Sequence, residues 1–192
     1  MRHKGLIRIL LVALLVSSAG CASVISAVRE NPISSDPSKR TLGSVVDDQL
    51  IETKGMVNIR EAGGALESAN ISLTSYNGVV LMTGEAPDAQ SRAQAEAIVK
   101  SLEKVKKIHN EVRIAGSASA ISSLNDTWLT TKTKANLLLA EGIPGNRFKV
   151  VTDNSTLYLM GLVTRAEADA AVAKASTLSG IEKIVKVFEY LD

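Results

Sequence analysis

Asn77-Gly78-Val79-Val80-Leu81-Met82-Thr83-Gly84 and Asn154-Ser155-Thr156-Leu157-Tyr158-Leu159-Met160-Gly161 are one pattern written twice, 77 residues apart. Each copy begins with turn residues, continues as an apolar run and stops at glycine. Asn-Gly is the strongest short hairpin signal, because a type I′ turn needs positive φ at both central residues; Asn-Ser is a weaker form of it. The flanks repeat as well. Asp47-Asp48-Gln49-Leu50-Ile51-Glu52-Thr53-Lys54 aligns with Asn125-Asp126-Thr127-Trp128-Leu129-Thr130-Thr131-Lys132, and Val105-Lys106-Lys107-Ile108 aligns with Ile181-Glu182-Lys183-Ile184. The chain of 192 residues therefore reads as two copies of one small unit behind an N-terminal extension.

Each unit gives the same order of elements. A helix starts at an acidic or Asn cap (Asp47; Asn125 or Asp126) and runs to Ala62 or Ala140. A strand follows, with Ile71, Leu73 and Ser75, or Phe148, Val150 and Thr152, on one face. The hairpin leads into the glycine-ended strand. A second helix spans Asp88 to Glu103, or Arg165 to Ser179, where Thr164-Arg165-Ala166-Glu167 forms a capping box. Final strands run from Ile108 to Ile114 and from Ile184 to Tyr190. The expected fold class is α+β: two tandem units, each with two helices on a three-stranded mixed sheet. Each unit is near the lower size limit for an independent core, so the two are expected to lean on each other.

The N-terminus reads as a targeting segment. Arg2, Lys4 and Arg8 precede the apolar run Ile9 to Val16, and the small residues Ser17, Ser18, Ala19 and Gly20 lead to Cys21. That order describes a secretory signal peptide, and the run is too short for a membrane-spanning helix, which needs about 20 residues. Ser18-Ala19-Gly20-Cys21 resembles a bacterial lipobox, with Ser18 in a place that prefers Leu. The resemblance implies lipid attachment at Cys21. Ala22, which is not Asp, implies sorting to the outer membrane. The expected boundaries are signal peptide 1–20, acylated N-terminus and tether 21–44, first unit 45–115, linker 116–124 and second unit 125–192.

The helix–strand–strand–helix–strand unit, with Met82-Thr83-Gly84 and Leu159-Met160-Gly161 at its middle, resembles a BON domain. Two such units behind a lipobox resemble the dual-BON-domain lipoproteins of Gram-negative outer membranes. That resemblance covers about residues 40–192. It implies a non-enzymatic protein facing the periplasm, associated with phospholipid binding and outer-membrane integrity. One departure is Gly55, where the family places an apolar β-branched residue; a glycine there costs a helix about 1 kcal/mol against alanine.

The residues themselves offer little chemistry. Beyond the targeting segment there is one histidine, His109, and no cysteine other than Cys21. That excludes a histidine or thiol dyad and a Cys/His metal cluster. Gly142-Ile143-Pro144-Gly145 lacks the Lys-Ser/Thr of a phosphate loop. Asp47 and Asp48 are explained by capping. Lys104, Lys106 and Lys107 read as a solvated face, with an anionic-lipid contact as the lesser alternative. No cofactor, small-molecule substrate or nucleic-acid partner is expected. The chain has 22 basic and 20 acidic residues, a formal net charge of +2. Cleavage of the signal removes Arg2, Lys4 and Arg8 and leaves a net charge of −1, so any attraction to an anionic membrane must be local.

The first helix of the second unit carries the most informative pattern. Leu129, Thr133, Leu137 and Ala140 form the expected core stripe. Trp128, Ala135 and Leu139 share a second direction, with Thr131 and Leu138 beside them and Lys132 and Lys134 towards the rims. Two apolar sides are one more than folding requires. A Trp ring and ammonium groups suit a lipid headgroup interface. The expected phospholipid site is thus Trp128, Leu129 (at its edge), Thr131, Lys132, Lys134, Ala135, Leu138 and Leu139, with an anionic phospholipid as partner. Alternatively, Trp128 packs between the two units, or its face binds a protein of an outer-membrane assembly complex. In the first unit Leu50, Val57, Arg60 and Glu61 occupy the equivalent places. That helix ends charged and lacks Trp, which assigns the contact to the second unit.

Overall fold

The computed structural model describes residues 40–114 and 120–192. The targeting segment, Cys21 and the tether expected over 21–44 up to residue 39 lie outside the described residues.

The first unit comprises α1 (Leu42–Glu61), a 3-10 turn (Gly64–Ser68), β1 (Asn70–Tyr76), β2 (Val79–Ala86), α2 (Ala89–Lys100), β3 (Lys107–Asn110) and β4 (Arg113–Ile114). The second comprises α3 (Ala120–Leu139), a 3-10 turn (Gly145–Arg147), β5 (Phe148–Asp153), β6 (Thr156–Val163), α4 (Arg165–Ser176) and β7 (Lys183–Tyr190). In each sheet the hairpin is antiparallel and the last strand lies parallel to the middle one: β1-β2 with β3 and β4, and β5-β6-β7. This is the expected α+β architecture of two mixed sheets.

Both hairpins turn as the sequence requires. Asn77 and Gly78 have φ of 54° and 79°, and Asn154 and Ser155 have 48° and 58°. Asp88 caps α2 through its carboxylate, and Thr164 and Glu167 close the capping box of α4. The alternation of β1 and β5 also holds. Ile71 and Leu73 join Val80, Met82, Val99 and Val112 in one helix–sheet core, and Phe148 and Val150 join Leu157, Leu159, Leu137 and Ala171 in the other.

Four details differ from the expectation. The first helix starts at Leu42, capped by the Thr41 hydroxyl, which accepts from the Ser44 N–H. Asp47 is therefore an interior residue, and Asp48 is buried and bonded elsewhere. Residues 120–124, assigned to a linker, are the first turn of α3, so neither Asn125 nor Asp126 is its cap. The second helices stop at Lys100 and Ser176, short of Glu103 and Ser179. The final strand of the first unit is interrupted. Val112 drops into the core, and the Asn110 side chain satisfies its N–H.

Gly55 allows a close approach of helix to sheet. A Cβ there would fall 2.4 Å from Leu73 Cδ1. A larger residue there would require the Leu73 side chain to move.

The two units do lean on each other, through the sheet faces turned away from their helices. Tyr76, Val79 and Leu81 of the first pack with Tyr158, Met160, Leu162 and Val187 of the second. Every residue of β2 is consequently buried, because Val80 and Met82 face one core while Val79 and Leu81 face the other. Polar bonds edge the contact. The Tyr76 hydroxyl donates to the Arg147 carbonyl at 2.7 Å, Asn77 Nδ2 donates to Glu189 at 2.7 Å, and Lys149 Nζ pairs with Glu52 at 2.7 Å.

Burial pushes the Tyr158 phenol up to about 12, with Glu111 and Asp153 adding to it. Burial also raises Tyr76, against Arg40, whose guanidinium lies 3.9 Å over its ring. A folded pKa above the unfolded value of about 10 means stability that is complete below pH ~10 and lost as pH rises through the folded value. The expected result is alkaline unfolding concurrent with tyrosinate absorbance. In Tyr158→Phe, stability should depend less steeply on pH across that window.

Candidate functional site

The apolar pattern of α3 resolves into two opposite faces. Leu129, Thr133 and Leu137 are fully buried beneath the helix. At 100° per residue, Leu124, Thr131, Ala135, Leu138 and Leu139 all lie within about 80° of Trp128 on the other side. All are exposed, Trp128 at 55% and Leu139 at 85%. The stripe is about 22 Å long at 1.5 Å per residue.

Trp128 is thus not packed between the units, and that alternative is set aside. Leu129 also leaves the site: at 0% exposure it belongs to the core and presents no edge. Leu124 joins the stripe instead. It stands one turn before Trp128, but the sequence reading placed it in the linker; its signal was the i, i+4 spacing to Trp128.

Lys132 and Lys134 lie on opposite flanks of the stripe. Lys132 Nζ sits 4.4 Å from the centroid of the Trp128 ring and 3.5 Å from Ser179 Oγ. The cation thus stacks on the ring, and Trp128 remains 55% exposed. Lys134 is exposed. No acidic residue occurs between Asp126 and Glu141, so the face is apolar with a positive rim.

The helix is placed by one carboxylate. Asp126 accepts from the Asn154 N–H at 2.7 Å and the Ser155 N–H at 3.0 Å. It ties α3 to the β5–β6 turn and holds Ser155 in a left-handed conformation that L-residues resist. Asp48 does the same in the first unit, accepting from the Asn77 and Gly78 N–H groups and from the Ser75 hydroxyl, with Arg40 beside it.

The other polar groups of note among the described residues are His109 and a cleft between the units. His109 is partly buried with Nε2 unpartnered; burial and then Lys107 hold its pKa below the usual value. A cleft of about 440 Å³ between the units is lined by Ser72, Thr83, Arg113, Thr130, Thr152 and Asp153 among others. Thr130 occupies the place that Glu52 has in the first unit, where Glu52 pairs with Lys149. Arg113 is neutralised within the cleft, 3.0 Å from Glu85 and 3.7 Å from Asp153. Among the described residues no group of three or more His, Cys, Asp or Glu could hold a metal ion, and no helix is long and apolar enough to cross a membrane.

A duplicated α+β unit, joined sheet to sheet and exposing an apolar helix face, defines a tandem-domain protein whose candidate site is a surface. The BON domain family model matches residues 47–116 and 125–192. The "Outer membrane lipoprotein DolP" of Haemophilus influenzae is 32% identical over 160 residues, 83% of this chain and 82% of that protein. The "21 kDa hemolysin" of Actinobacillus pleuropneumoniae is 33% identical over 153 residues, 79% and 78% of the two chains. Among solved structures, the C-terminal domain of CdsD from Chlamydia trachomatis aligns at 14% identity with a TM-score of 0.30, covering 76% of this chain and 67% of that one. The chain belongs to the BON domain family and carries two copies of the domain, in the pattern of the dual-BON-domain lipoproteins.

Proposed function

We propose that this is a non-enzymatic outer-membrane lipoprotein, anchored through Cys21 and facing the periplasm, whose second BON domain binds anionic phospholipid through α3. In this reading it helps maintain outer-membrane integrity by localising to anionic lipid. The observation that carries the reading is the solvent-exposed stripe of Leu124, Trp128, Ala135, Leu138 and Leu139 with a lysine on each flank. Apolar side chains exposed in a contiguous row are a cost in water that an interface removes. The indole tolerates the headgroup zone because its ring is apolar and its N–H polar. Lys132 and Lys134 each add roughly 1 kcal/mol near an anionic surface, and that gain fades with salt. The similarity to a relative named as an outer-membrane lipoprotein supports the location.

Trp128 is the chain's sole tryptophan, so its emission reports on α3 directly. With a chain beginning at residue 21 and carrying Cys21→Ser, emission in buffer is expected to be that of an exposed indole. It should shift to the blue with vesicles containing phosphatidylglycerol and stay unchanged with phosphatidylcholine. Trp128→Glu, at an exposed position, should lower co-flotation at least tenfold while leaving the melting temperature in place. Equal binding to both vesicle types, or none at low salt, would remove the lipid reading.

A further inference from the structure

The helix contact was assigned to the second unit, because α1 ends charged and has no Trp, and Lys104, Lys106 and Lys107 of the first unit were read chiefly as a solvated face. The N-terminal four-fifths of α1 is different. Leu42 (78% exposed), Val46, Leu50 (47%) and Val57 are all open to solvent. On a helical wheel they form one row with Thr53, again within about 80°. Val46, Leu50, Thr53 and Val57 are the repeat equivalents of Leu124, Trp128, Thr131 and Ala135. The two units therefore expose the same face of the same helix, and the first-unit row is a second unpartnered apolar surface.

That row is bordered by positive charge. A groove of about 320 Å³ between α1 and the loop before β3 is lined by Ser44, Asp47, Ile51, Asn77, Lys104, Val105 and Lys106 among others. A smaller one joins Leu50 and Lys54 to Lys104. The two grooves bring Lys54, Lys104 and Lys106 together with the acids Asp47 and Glu103. Lys104 has φ of 70°, where the second unit has Gly180 at 96°. The first unit thus places a lysine at a backbone position that favours glycine. The chain also arrives here. From Arg40, beside the start of α1, 19 residues lead back to Cys21, and they span at most about 65 Å whatever their conformation.

We infer that the α1 row of Leu42, Val46, Leu50 and Val57, with Lys54, Lys104 and Lys106 at its rim, is a second surface for the anionic bilayer, engaged next to the anchor. The inference rests on the reading of Cys21 as the membrane attachment. A surface tethered this close to the bilayer meets it at high effective concentration, so a contact too weak to bind free vesicles can still form. Apolar side chains enter the headgroup zone, and the lysines meet lipid phosphates.

Hydroxyl-radical footprinting of the acylated chain tests this without altering the helix. The chain is reconstituted in phosphatidylcholine vesicles with and without phosphatidylglycerol, and the acyl group is verified by intact mass. In anionic vesicles, oxidation of Leu42 and Leu50 should fall at least threefold. Lys104→Glu with Lys106→Glu should restore it and move the protection to Trp128, because the back-to-back sheets turn the two rows away from each other. Protection of Trp128 with Leu42 and Leu50 still reactive overturns this inference and leaves the α3 reading intact. Protection of Leu42 and Leu50 with Trp128 reactive supports it, and Trp128 still reactive after the lysine reversals removes the α3 reading. Full reactivity at both overturns both. Protection that is unchanged by the lysine reversals, or that is equal in zwitterionic vesicles, indicates a protein contact or simple proximity and overturns it as well.

Discussion

Gly84→Ala is expected to lower the stability of the chain by about 4 kcal/mol or more, in the range of the largest single-residue effects. Gly84 sits in β2 opposite Ile71 with φ of 101°. A Cβ there would lie 1.9 Å from the Asn70 carbonyl oxygen. That neighbour is backbone, so no rotamer change relieves the clash, and the dihedral itself opposes an L side chain. Because β2 packs on its own helices and on the second unit's sheet, its displacement disturbs both cores. For a body of this size the melting temperature should fall by about 10 °C or more. Gly161 is the equivalent glycine of the second repeat. It has no positive φ, and its Cβ would stand 2.9 Å from the Arg147 carbonyl oxygen. Gly161→Ala should cost clearly less. Equal losses in the two variants, read by thermal melts followed by circular dichroism, would contradict this account.

Asp48→Ala is the second large effect, at about 3–5 kcal/mol, because it strands several buried donors together. Asp48 is 3% exposed. It accepts from the Ser75 hydroxyl at 2.7 Å and the Asn77 and Gly78 N–H groups at 2.7 and 2.8 Å, and pairs with Arg40 at 3.0 Å. Burial alone raises its pKa, but these bonds together with Arg40 outweigh burial, so the group lies below the usual carboxylate value. A depressed folded pKa gives stability that is present above the unfolded pKa of about 3.9 and is lost as pH falls through the folded value. Wild-type stability, measured by urea unfolding, should therefore fall on acidification below pH ~4. The Asp48→Ala chain, already weakened, should fall less across the same range. An unchanged pH slope would show that the clamp is not a source of acid sensitivity.

Most of the architecture was legible because its signals are local. The 77-residue repeat, the Asn-Gly and Asn-Ser turns, the Thr164–Glu167 capping box and the alternation of β1 and β5 each depend on neighbours a few positions apart. The two opposite faces of α3 follow equally from helical spacing. The errors arose where a residue's role is set at a distance. Asp48 stands in a good cap position by type, but its partners are at 75, 77 and 78, so it ties a helix to a hairpin. Thr41, a cap residue just ahead of an apolar pattern, was the available signal for the true helix start. Leu129 passed for a site residue until burial under α3 placed it in the core.

The sequence by itself determined the duplicated unit, the order of its elements and the surplus apolar face around Trp128, since each is carried by spacing along the chain. The tertiary structure alone decided that the sheets join back to back, through contacts such as Tyr76 to Arg147, 71 positions apart. With the sheet faces buried against each other, Trp128 has no covering partner among the described residues and stays exposed. The helix stripes of both units are left as the unpaired apolar surface, because one-dimensional periodicity states which side chains share a face but not which face meets another.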